Sequence, residues 1–91
     1  NTISHKKAIR YLNRFFTFTN KQLIIGGHSK GGNLALVASM YSNFLVRSQI
    51  NEVLNVDGPG LLDVEFNSRE FKKVLPRYKH IIPENSIVGM L

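Results

Sequence analysis

Ninety-one residues with 43% hydrophobic content make one small globular domain at most, and the composition is not that of a disordered segment. The absence of cysteine excludes disulfides and thiolate metal sites and agrees with a reducing cytoplasmic setting, and no motif in the chain calls for a metal or organic cofactor. The net charge of +6 is scattered along the chain without an aromatic-interleaved basic stripe, so it reads as solvated surface and nucleic acid is not expected as a partner.

No apolar run reaches the roughly 20 residues that span a bilayer. Asn1-Thr2-Ile3 is not the start of a signal peptide, and Met90-Leu91 falls inside an apolar run. Residues 1–91 are therefore expected to be a fragment of a single domain.

In chain order, residues 4–16 place Ala8, Ile9, Leu12, Phe15 and Phe16 at helical spacing, with Ser4 or Thr2 as the cap. Thr17 to Lys21 is a polar connection. Gln22 to Gly26 reads as a short strand buried on both sides, of the parallel type. A helix is expected from about Gly31 to Phe44 or Val46, its small residues Gly31, Gly32 and Ala35 allowing close approach to a sheet. Glu52 to Val56 forms a second strand, broken by Asp57-Gly58-Pro59-Gly60. Asn67 or Ser68 starts a short helix carrying Phe71, Val74 and Leu75, which Pro76 ends; Tyr78 to Ile82 is a third strand, stopped by Pro83. The order α-β-α-β-α-β predicts an α/β fold with a parallel sheet of about three strands and flanking helices. Ligands of such sheets bind at the carboxyl ends of the strands.

The most informative segment is Gly27-His28-Ser29-Lys30-Gly31, a G-x-S-x-G pentapeptide between the first strand and the following helix. That context is the one a nucleophile elbow requires, with the serine hydroxyl held at a sharp corner and glycines on either side relieving the crowding. Gly27, His28, Gly31 and Gly32 shape the corner. Ser29 is the expected nucleophile, and the backbone N–H of Lys30 is one expected oxyanion donor.

A serine needs a base, and in this fold the order is serine, acid, histidine. His5 precedes the elbow and reads as a surface residue. His28 adjoins Ser29, but neighbouring side chains at a turn diverge, which leaves it an elbow-shaping role. His80, at the start of a strand, reads as structural. The catalytic histidine is expected beyond Leu91. Asp57, one step past the second strand, is the candidate acid, against an equally weighted reading as a turn residue that caps local N–H groups. Glu84, after the third strand, is its rival. Asp63, Glu65 and Glu70 read as solvated charges.

On Gly27-His28-Ser29-Lys30-Gly31-Gly32-Asn33-Leu34-Ala35, Asn55-Val56-Asp57-Gly58-Pro59-Gly60 and Pro83-Glu84-Asn85-Ser86-Ile87-Val88-Gly89-Met90-Leu91, the chain resembles a bacterial lipase-like family of the α/β-hydrolase superfamily, catalogued as domain of unknown function 2974. The resemblance covers essentially the whole chain, and lysine after the serine, where fungal class-three lipases carry leucine, is a mark of that group. It implies a serine-hydrolase fold, Ser29 as nucleophile and a histidine further along. Class-three lipases carry their acid where this chain has Ser86-Ile87-Val88, a departure that keeps Asp57 in contention with Glu84.

The reading is thus part of an α/β-hydrolase domain, with its N-terminal strands and histidine segment outside residues 1–91. It would hydrolyse a small-molecule ester or lipid through an acyl-serine, and the fragment alone would be inactive. The alternative is a non-catalytic module of the same fold that binds a ligand or a protein.

Overall fold

The computed structural model describes residues 3–61 and 63–82. Over them the elements run α1 (Ile3–Phe16), β1 (Leu23–His28), α2 (Lys30–Tyr41), α3 (Phe44–Gln49), β2 (Ile50–Val56), α4 (Asp63–Phe66), α5 (Arg69–Val74), a 3₁₀ turn (Leu75–Arg77) and β3 (Tyr78–Ile81). The strands form one sheet in the order β1-β2-β3, and both pairs are parallel. The α/β architecture expected from the alternation of elements is the one observed.

Hydrophobic periodicity explains the layers. Ala8, Ile9, Leu12 and Phe16 of α1 turn inward, while Lys6, Lys7, Arg10 and Arg14 are exposed. The helix α2 is apolar on nearly every side because it lies between α1 and the sheet; Leu36 and Met40 are fully buried, with Val46, Val53 and Val74 beside them. Full burial of one such side chain is worth about 1.5–3 kcal/mol. Leu23 and Ile25 of β1 and Val53 of β2 face this core. Ile24 and Ile81 lie on the other face and are exposed, near the Glu52–Lys79 ion pair that crosses from β2 to β3 at 2.5 Å.

Three boundaries differ from the sequence expectation, each for a physical reason. β1 runs two residues further, through Gly27 and His28, because these pair with Asn55 and Val56 in the parallel ladder. A strand end held only by its neighbour's backbone leaves no side-chain signature. The single long helix is two, α2 and α3, separated by extended backbone at Ser42 and Asn43. The Asn43 side chain accepts the Val46 N–H at 2.9 Å and caps α3, while its own N–H donates to Asn13 Oδ1 at 2.9 Å. Asparagine competing for backbone donors is what breaks the helix there. β2 begins at Ile50, which is buried in the core.

α5 starts where Ser68 accepts the Phe71 N–H at 3.1 Å, and Pro76 sits in the 3₁₀ turn that ends the segment. The short helix α4 lies in a stretch to which the sequence pattern assigns no element. The stop at Pro83 falls outside the described residues. Among the described residues no helix is long and apolar enough to cross a membrane.

Candidate functional site

The carboxyl ends of the three strands lie side by side, with His28 opposite Val56 and Val56 opposite Ile81. One residue past each of the first two ends, the backbone makes the same step. The Ser29 N–H donates to Val56 O at 2.9 Å, and the Asp57 N–H donates to Ile81 O at 2.7 Å. Both residues have positive φ, 53° for Ser29 and 56° for Asp57, and they are the two non-glycine residues with this property among those described. At ψ −126° Ser29 leaves the ordinary left-handed well as well. A non-glycine residue so placed costs of order 1–3 kcal/mol and is held there only by its surroundings.

Those surroundings are glycines, though not in the arrangement the pentapeptide suggests. A Cβ on Gly27 would fall 2.2 Å from Gly31 O, so strand and helix meet at van der Waals contact across the corner. A Cβ on Gly32 would fall 2.1 Å from Asn55 Oδ1. A Cβ on Gly31 would meet nothing within 4 Å. The expected crowding at Gly31 is therefore absent; what the packing demands is Gly27 and Gly32, because the Gly31 Cα points away from the strand. Gly31 instead lines an open apolar groove of about 360 Å³ with Gly27, Ile25, Ala8, Tyr11 and Leu34.

Ser29 is exposed at the start of α2, and its hydroxyl makes no cap to that helix. Its Oγ lies 3.1 Å from His28 Nδ1. The two neighbouring side chains do not diverge, as the sequence reading had it; the extended strand end and the sharp turn at Ser29 bring them back together. Lys30 is the first residue of α2, where backbone N–H groups have no partner within the helix.

The other two histidines are engaged elsewhere. His5 Nε2 lies 2.8 Å from Asn33 Oδ1. Since Asn33 Nδ2 donates to the carbonyls of Pro59 and Gly60, its Oδ1 is the acceptor and His5 Nε2 carries the proton. His80 Nδ1 lies 2.9 Å from Tyr78 Oη.

Asp57 is exposed. In the turn that follows it, the Gly58 N–H donates to Asn55 Oδ1 at 3.0 Å. Glu84, the rival acid, lies outside the described residues. Among the described residues no group of three histidine, aspartate or glutamate side chains gathers as a metal site.

A family model described as Mbeg1-like matches the chain over residues 1–91. The chain belongs to the Mbeg1-like family. This corrects the resemblance to the lipase-like family catalogued as domain of unknown function 2974, since the family model that covers the whole chain is the Mbeg1-like one. No curated protein and no solved structure matches the chain.

One residue beside the elbow carries no role in the sequence pattern. Asn55 is fully buried in β2. Its Nδ2 donates to Pro59 O at 3.1 Å and to Tyr78 Oη at 3.2 Å, and its Oδ1 accepts from Gly58. The same Tyr78 oxygen lies 2.9 Å from His80 Nδ1. Burial raises the Tyr78 pKa above its ordinary value, and the hydrogen bond from Asn55 offsets part of that rise. The signal available was a polar residue inside the apolar run Val53-Leu54-Asn55-Val56, two positions before the turn.

Proposed function

We propose that this chain carries the nucleophile end of a serine hydrolase acting on an acyl ester of a small molecule or lipid. The observation that carries the reading is the backbone of Ser29, a non-glycine residue at φ 53° and ψ −126° between the end of a parallel strand and the start of a helix. Strain of that kind is costly, and its use at an elbow is to present a hydroxyl beyond the sheet edge.

In this reading Ser29 Oγ attacks the ester carbonyl carbon. The new oxygen–carbon bond gives a tetrahedral oxyanion, which collapses with cleavage of the carbon–oxygen bond to the alcohol, and the proton taken from Ser29 leaves with that alcohol. Water then adds to the acyl-serine in the same way, releasing the acid and restoring the serine. The Lys30 N–H, at the positive end of α2, stabilises the developing oxyanion. His28 holds the Ser29 hydroxyl in its resting rotamer. The base is assigned to none of His5, His28 and His80, and Asp57 is the acid that orients it, with Glu84 as the competing assignment.

Turnover of p-nitrophenyl acetate and p-nitrophenyl octanoate by the intact protein, with Ser29 and with Ser29→Ala, tests the proposal. Hydrolysis that disappears in the variant supports it. Equal rates in both proteins, or none in a folded Ser29 protein, would leave the ligand-binding module as the better reading.

A further inference from the structure

Asn55 is an expensive residue at its position. It sits fully buried beneath α2, in a strand whose neighbours Val53, Leu54 and Val56 are apolar, and a buried amide is destabilising unless every polar atom finds a partner. Here each does: one acceptor serves Gly58 N–H, and two donors serve Pro59 O and Tyr78 Oη. Only a carboxamide offers that combination on so short a side chain.

Two of the three bonds go to the turn that follows Asp57, and that turn touches the elbow. A Cβ on Gly58 would fall 2.3 Å from Asn55 Oδ1 and 2.3 Å from Ser29 O. The same Ser29 carbonyl accepts the Gly32 N–H at 2.9 Å, and Gly32 packs on Asn55 Oδ1 from the other side. The Asn55 amide is therefore clamped between the helix that begins at the serine and the turn that begins at Asp57. Its bond to Gly58 fixes the peptide that leans on Ser29.

We propose that Asn55 is a positioning residue for Ser29, setting the serine's reactivity by holding the Asp57–Gly60 turn against the elbow. This rests on the serine-hydrolase reading. Asn55 itself touches no reacting atom; it acts through the turn, by its bonds to Gly58 N–H and Pro59 O. The Tyr78 arm of its amide leads away from the elbow toward His80 and serves the core alone.

The test uses the intact protein and a fluorophosphonate probe, with the maximal labelling rate and the half-saturating probe concentration measured separately, and circular dichroism confirming the fold. Asn55→Asp keeps the shape of the side chain and the acceptor for the Gly58 N–H, and replaces the donor that faces both Pro59 O and Tyr78 Oη by an acceptor. The maximal rate is expected to fall about tenfold or more while half-saturation stays within about twofold, since a displaced nucleophile loses rate rather than affinity. Tyr78→Phe removes the other arm and is expected to label within about twofold of wild type. If Asn55→Asp does not fold, Gly58→Ala, which presses on the same contact from the turn, is held to the same criterion. An unchanged rate in the folded Asn55→Asp protein overturns the proposal, as does a Tyr78→Phe protein slowed equally. A folded wild type that takes no label overturns the hydrolase reading, and this role falls with it.

Discussion

The Ser29 N–H is hydrogen-bonded to Val56 O at 2.9 Å, so the residue after one strand is pinned to the last residue of the next. Asp57 repeats the arrangement on Ile81. Two successive chain corners thus leave the same sheet edge at fixed spacing, each with a positive φ. Ser29 and Asp57 are thereby both carried at that edge.

The strain at Ser29 predicts a separation of stability from activity. Ser29→Gly adopts φ 53° without the Cβ penalty and is expected to raise the unfolding free energy by about 1 kcal/mol, with loss of any serine-dependent reaction. Ser29→Ala keeps the penalty and should lose the reaction with no such gain. Paired thermal denaturation of the two variants checks the difference.

The two glycines of the pentapeptide should respond oppositely to alanine. Gly27→Ala places a Cβ 2.2 Å from a backbone carbonyl that cannot yield without moving α2, and is expected to destabilise by about 1–3 kcal/mol or more. Gly31→Ala meets no atom and lies in a helix, where alanine is favoured by about 0.5–1 kcal/mol. Urea titrations of both variants should give shifts of opposite sign.

The break between α2 and α3 predicts a third effect. Asn43→Ala removes the cap on Val46 N–H and the bond from Asn43 Nδ2 to Thr17 Oγ1, and should cost about 1–2 kcal/mol. Were the break set by packing alone, the denaturation midpoint would scarcely move.

Tyr78 predicts a pH dependence. Its folded pKa is raised, so the unfolded chain loses the phenolic proton first as pH rises. The group's contribution is then fully present below its ordinary value near 10 and is lost as pH rises through the folded value. Unfolding free energies measured from pH 8 to 11 should fall more steeply for wild type than for Tyr78→Phe.

Much of this architecture was legible in the sequence because its carriers are periodic or conformationally unusual. The stripe Ala8-Ile9-Leu12-Phe16 marked α1, the apolar run Leu23-Ile24-Ile25 marked β1, and Gly27 and Gly31 around Ser29 marked a tight corner, although the packing demands Gly32 and not Gly31. What was hidden depends on partners distant in the chain. Gly27 and His28 join β1 only because Asn55 and Val56 lie beside them. Asn43 ends α2 because Asn13, thirty residues earlier, takes its N–H. Asn55 looks like a stray polar residue until the turn, Tyr78 and Gly32 converge on it. The family, too, took the comparison over residues 1–91 to establish, since three short blocks pointed to a differently catalogued group.

The central claim is that Ser29 is an activated nucleophile. It is tested most directly by treating the intact protein with a fluorophosphonate and locating the adduct by peptide mass spectrometry. The account predicts a single phosphonylated serine, Ser29, and no adduct in Ser29→Ala. A folded protein that stays unlabelled at Ser29, or labels equally after the substitution, would contradict it.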